Sequence, residues 1–213
     1  MKGIFRKDLF YIVQNMRLYL VIVMIFTVGG FLQNAKSEGT EIGFLPLVFV
    51  YGAMIPHIVM MQDTQTRFLT PLGGLPVSRR AYLAEKYLLA LGAMAVMAVY
   101  AFVMTCICGL ISGHGVGAGE IAALLANMSI GLLFPAVSIL VWSLVCDKDK
   151  NVYTICSVIM GGFVGLLIGI MLTFSGKGIT EPDGAGLMLL ISAGVLCISF
   201  CISTAVFKGK DIQ

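Results

Sequence analysis

The chain has 213 residues, of which 59% are hydrophobic and 12% charged, and its mean hydropathy is +0.98. A soluble domain carries about 25% charged residues, so this composition excludes an ordinary soluble protein. It also excludes a disordered chain, which lacks this much apolar surface. The net charge of +3 gives no reason to invoke nucleic acid, and an integral membrane protein remains.

The first predicted element covers residues 1–16. Phe5, Leu9, Ile12 and Met16 recur at helical spacing, with Lys7 and Gln14 opposite. That pattern predicts an amphipathic helix lying in the membrane interface. The alternative is a charged extension of the first span. The basic start runs into a polar patch at Gln14, Asn15 and Arg17 without a cleavage signal, so the first span is expected to stay in the mature protein.

A membrane helix needs about 20 predominantly apolar residues. Six apolar runs follow: Leu18–Leu32, Ile42–Met61, Tyr87–Ile111, Ile121–Cys146, Val152–Phe174 and Ala185–Phe207. The first, at 15 residues, borrows a turn at its ends to cover about 17–33, with Arg17 reaching the headgroups. No run alternates with period two, so helices are expected rather than a barrel. The fold class is therefore an all-α membrane protein of six transmembrane helices, one domain over residues 1–213.

The second span contains Pro56 followed by His57. An ionisable residue inside a membrane marks a functional site by default, and the proline implies a kink. The competing reading is a neutral His57 bonded to a neighbouring helix. That reading is preferred, because no Asp, Glu or second His lies deep in any span to relay a proton.

The connection Gln62–Lys86, 25 residues long, is the longest stretch outside the spans. Thr64 through Thr70 allows two short helical turns, and Pro71, Gly73, Gly74 and Pro76 then break any helix. Ser78 is positioned to cap a helix carrying Arg79, Arg80 and Tyr82 into the third span. Ala81 stands where a capping box wants Glu or Gln, so that cap is half specified. A short surface helix, a kink and a rising helix would present a knob to a partner. The alternative is a solvated connector whose basic residues serve topology alone.

Pro135 in the fourth span reads as a packing kink. Gly161, Gly165 and Gly169 make a small-residue stripe on the fifth span, which lets another helix backbone approach. Cys106, Cys108, Cys146, Cys156, Cys197 and Cys201 lie in or beside the spans without a companion His cluster. They are read as small apolar residues rather than metal ligands.

Six spans put both termini on one side. Twelve of the 14 Lys and Arg residues fall there, and only Lys36 and Lys177 fall opposite. The positive-inside rule makes that side the cytoplasm. The spans take 132 residues and leave 81, in pieces too short for a catalytic domain of about 50 residues or more. No nucleophile–base, metal-ligand or phosphate-loop motif is complete. Ser175-Gly176-Lys177-Gly178 lacks the loop's upstream glycine and its Ser or Thr. The chain is expected to be non-catalytic and to hold no cofactor or metal.

These residues together resemble the permease subunits of type-2 export ATP-binding-cassette transporters, in the compact bacterial branch. The resemblance covers nearly the whole chain. It rests on the amphipathic start around Lys7-Asp8-Leu9 and on the long first inner loop. Within that loop it rests on Asp63, Phe68 and Leu75-Pro76-Val77-Ser78-Arg79, and then on Lys86-Tyr87. The family often has a tryptophan where this chain has Arg67-Phe68. The resemblance implies an elbow helix at the start and a coupling helix within Asp63–Leu75. It implies contact with a separate ATPase subunit through Asp63, Arg67, Phe68, Leu75, Arg79 and Arg80. It further implies ATP-Mg bound in that partner, pairing with a second permease subunit as a homo- or heterodimer, and a bacterial plasma-membrane location. Relatives export amphipathic or antimicrobial peptides or protect against them. An apolar translocation surface suits such a peptide or a lipid-like substrate.

A second reading needs no ATPase partner. In it the chain is a stand-alone homo-oligomer, such as a small channel, immunity protein or scaffold, packed through the glycine stripe. An intramembrane enzyme is a distant third.

Overall fold

A computed structural model of the chain describes residues 2–15, 17–34, 45–66, 68, 78–111, 113, 115–145, 155, 162 and 182–208. Six continuous helices stand in the described residues. They are α1 (Lys2–Asn15), α2 (Arg17–Asn34), α3 (Leu45–Gln65), α4 (Arg79–Ile111), α5 (Ala118–Val145) and α6 (Pro182–Lys208). No strand occurs among the described residues.

The helices α3, α4, α5 and residues Asp183–Phe207 of α6 are long and apolar enough to cross a membrane. They fall on the second, third, fourth and sixth predicted spans. The first predicted span falls on α2, and Arg17 there donates from Nε to the Val13 carbonyl at 3.1 Å. The fifth span, its glycines Gly161, Gly165 and Gly169, and Cys146 and Cys156 lie outside the described residues.

Two helices run beyond their apolar runs. The expected short helix at Thr64–Thr70 is in part the end of α3, which continues to Gln65. Turns follow, in which the Phe68 N–H donates to the Asp63 carbonyl at 2.9 Å. At its other end α4 starts at Arg79, so Glu85 and Lys86 are helical rather than loop residues. At about 1.5 Å per residue, the 33 residues of α4 exceed a hydrocarbon core of about 30 Å. Its opening turns, ahead of Tyr87, therefore project past that core. The expected cap is present: Ser78 Oγ accepts from the Ala81 N–H at 3.2 Å.

The helix α5 begins similarly. Gly113 turns the chain with φ +71°, a conformation that favours glycine. Glu120 then reaches back to accept from the Gly117 N–H at 2.8 Å, the return half of a capping box.

Inside the bundle, α5 and α6 pack along each other most extensively, and α3 and α4 lean on α5. Small residues permit the approach. Met94 of α4 is fully buried and lies between Gly52 of α3 and Gly131 of α5. A Cβ on Gly52 would stand 2.6 Å from Met97 Cγ, and one on Gly131 would fall inside the Met94 methyl group. The outer faces carry exposed Leu88, Val96, Val99 and Leu110 of α4 and Leu187, Leu190 and Ile198 of α6. That placement suits lipid as solvent.

Hydroxyls inside the bundle are spent on hydrogen bonds. Ser199 Oγ donates to the Ala136 carbonyl, and Tyr87 Oη lies 2.7 Å from Ser199 Oγ and 3.0 Å from Ser203 Oγ. One proton arrangement satisfies all of them: Ser203 donates to Tyr87, Tyr87 to Ser199, and Ser199 to Ala136. This chain pins α4 to α6 and α6 to α5. Tyr87→Phe breaks it at its centre and is expected to cost about 1–3 kcal/mol. The measure is the unfolding midpoint of the purified chain in mixed detergent micelles.

His57 is half-buried on an unbroken α3, edge-on to Phe134 of α5 at 5.9 Å and 73°. The described cysteines are free thiols: Cys106 and Cys108 are half-buried, and Cys197 and Cys201 are exposed.

Candidate functional site

Polar atoms converge at one end of the bundle, where α1 crosses the end of α3 and the start of α4. Phe5 and Leu9 are exposed, whereas Ile4 and Asp8 are buried. The inward face is chosen by charge, because Asp8 meets Lys86 of α4 and Lys7 meets Asp63 of α3. Phe10 and Val13 extend the exposed apolar face.

Asp63 is the centre of this junction. It is 1% exposed, and both its oxygens are occupied. Lys7 donates to Oδ1, the Tyr82 hydroxyl donates to Oδ2 at 2.8 Å, and Lys86 Nζ lies 2.8 Å from Oδ2. Three elements thereby close on one carboxylate. Lys86 is fully buried and also binds Asp8 Oδ2. Breaking a buried ion pair by removing one partner leaves a charge without compensation, so each member holds the others in place.

An aromatic group extends the junction to the far helices. Tyr82 packs against Trp142 of α5 and Phe207 of α6, with ring centroids 5.7 and 6.2 Å away. Trp142 Nε1 donates to Thr64 Oγ1 at 3.0 Å, and Thr64 donates in turn to the Met60 carbonyl. Through these contacts α3, α4, α5 and α6 are tied at one level.

An open cleft of about 190 Å³ lies beside the junction. Its wall includes Lys7, Tyr11, Gln62, Thr66 and Phe68. Lys7 Nζ stands 3.8 Å from the Phe68 ring centroid, a cation–π distance.

Of the residues expected to meet an ATPase, Asp63 is buried inside the junction and Phe68 is half-buried against Lys7. Arg79 is half-buried and Arg80 exposed at the start of α4. Arg67 and Leu75 lie outside the described residues. The structure thus joins Asp63 and Phe68 through Lys7, and it keeps Asp63 away from solvent. Sequence reading passed over Asp8, Tyr82, Glu85, Lys86 and Trp142 as site residues. A signal was available in Lys7-Asp8 and Glu85-Lys86, adjacent opposite charges at the edges of apolar runs. Nothing in their spacing reveals that they meet.

A family model described as ABC-2 family transporter protein matches residues 3–208. No curated protein and no solved structure matches the chain. The match takes in α1, all four apolar helices and the connection between α3 and α4. The chain therefore belongs to the ABC-2 transporter family, as a multi-pass membrane component of an ATP-binding-cassette transporter.

Proposed function

We propose that this chain is the permease subunit of an exporter powered by a separate ATPase. It pairs with a second permease subunit to form the path, and it accepts the ATPase on the cytoplasmic connection Gln62–Lys86. The helix α1 is the elbow helix, lying in the cytoplasmic interface with Phe5, Leu9, Phe10 and Val13 toward lipid. ATP-Mg is bound and hydrolysed in the partner. The substrate is an amphipathic peptide or a lipid-like molecule, and the location is a bacterial plasma membrane with both termini cytoplasmic.

One observation carries this reading: the loop is mechanically connected. Phe68, at its start, touches Lys7, which binds Asp63, and Asp63 is bonded to Tyr82 and Lys86 at the base of α4. A push on the loop reaches α1 and α4 together, because a buried junction of this kind shifts as a unit. A connector serving topology alone needs no such anchoring. Family membership also weighs against the stand-alone reading.

The test is co-purification from the host membrane with an ATP-binding-cassette ATPase, followed by reconstitution in liposomes. Replacing Arg67 and Phe68 together with alanine is expected to leave the helices folded and ATP hydrolysis running. Export should fall by tenfold or more, on the order of a 1.4 kcal/mol loss in coupling. If the intact chain binds no such ATPase, the proposal fails.

A further inference from the structure

Among the described residues, the charges in the junction do not balance. Three buried carboxylates, Asp8, Asp63 and Glu85, meet two ammonium groups, the buried Lys86 and the partly exposed Lys7. The hydrogen bonds are shared unequally. Asp63 receives all it can use, whereas Asp8 accepts only at Oδ2. Asp8 Oδ1 and both Glu85 oxygens are buried without a hydrogen-bond partner. Asp8 Oδ1 lies 3.1 Å from Lys7 Nζ and Glu85 Oε2 lies 3.4 Å from Lys86 Nζ. Those separations give attraction but no aligned bond. Glu85 is 2% exposed, so bulk solvent does not reach it.

A buried carboxylate with no donor is costly, and a surplus negative charge beside it adds to the cost. One proton removes the surplus charge and lets two of the three unpartnered oxygens bond to each other. Placed on Glu85, it turns an acceptor-only group into a donor. The acceptor still vacant within the cluster is Asp8 Oδ1. The cluster then holds two negative and two positive charges. A metal ion is the weaker choice, since among the described residues no three acidic or His/Cys groups converge as ligands.

We propose that Glu85 is a proton-binding site at neutral pH and donates a hydrogen bond to Asp8, thereby closing α1 onto α4. The groups acting on it are Asp8 of α1 and Tyr82 and Lys86 of α4, with Lys7 of α1 and Asp63 of α3 next to those in the cluster. The helices α5 and α6 bring Trp142 and Phe207, which do not titrate. The next cations on α4, Arg79 and Arg80, lie in its first turn. Loss of the proton leaves Glu85 and Asp8 facing each other as like charges, which pushes α1 away from α4. The junction is thus sensitive to the pH on its own side of the membrane. This inference stands on the junction alone and does not require the ATPase.

Infrared spectra of the full chain in lipid nanodiscs test it. Wild type at neutral pH is expected to show the C=O stretch of a protonated carboxyl, shifting in heavy water. Glu85→Gln should lose that band while keeping the wild-type melting behaviour, because glutamine imitates the protonated form. Asp8→Asn should lose the band too, since two carboxylates then face two ammonium groups. Raising the pH should bleach the wild-type band and change the emission of Trp142 with the same midpoint, and should leave Glu85→Gln unchanged. Absence of the band in wild type would overturn the proposal, as would its survival in Glu85→Gln. Stability that depends instead on added sodium or potassium would assign the missing charge to a metal cation.

Discussion

Lys86→Met is expected to be the most damaging single change outside the packed core, costing about 3–5 kcal/mol. The methionine fits the volume, so packing is largely preserved. What is lost is the ammonium that serves Asp8 and Asp63 at once and lies 3.4 Å from Glu85. Among the described residues the acidic cluster would then be left with Lys7, the more exposed of the two lysines. The chain's single tryptophan, Trp142, packs against Tyr82 and reports the loss directly. Its emission during detergent unfolding should show the midpoint moved sharply toward weaker conditions. Adding Asp8→Asn should restore part of the loss, because one stranded charge is removed with the lysine. If the double variant is no better than Lys86→Met, the cluster does not act through charge.

Gly131→Val is the second. The glycine sits where α5 meets α3 and α4, and a Cβ there intrudes on the Met94 methyl and comes within 3.3 Å of Phe49 Cβ. Met94 is flexible, but it is fully buried and its Sδ also lies 3.6 Å from a Cβ position on Gly52. Its methyl must therefore shift within the packed interior. Overpacking of this kind costs about 1–3 kcal/mol, and the valine branch places the result toward the upper end. Met94→Ala alone leaves a cavity, costing about 2–5 kcal/mol. The two changes together should cost clearly less than their sum, since the valine occupies space the methionine vacates. Additive costs would show that the two side chains do not compete for that space. The same detergent unfolding measurement gives all three values.

The fold was legible wherever the bilayer imposes a local rule. Apolar run length alone located α3, α4, α5 and α6, since every backbone group in lipid must be satisfied within its own helix. The Ser78 cap was legible for a similar reason, because a cap is a contact between near neighbours. With it the start of α4 was legible, as the helix Ser78 caps into the third apolar run. The end of α3 was not, because Asp63 is charged and hydropathy assigns it to the connection, whereas Lys7, Tyr82 and Lys86 meet its carboxylate. Nor was it legible which side of α1 meets the bundle. Asp8 and Lys7 find partners 78 and 56 residues away and hold that side inward, which leaves Phe5 and Leu9 exposed.

By itself, then, the sequence determined a chain made for lipid, with a long polar connection between its second and third apolar runs. Those properties follow from composition and from contacts within a turn or two. Only the tertiary structure decided that Asp8, Asp63, Glu85 and Lys86 meet. It also decided that Asp63 is buried as a tie between helices. Such facts depend on which helix ends lie side by side. Residues dozens of positions apart carry no mark of that until packing brings their charges within reach.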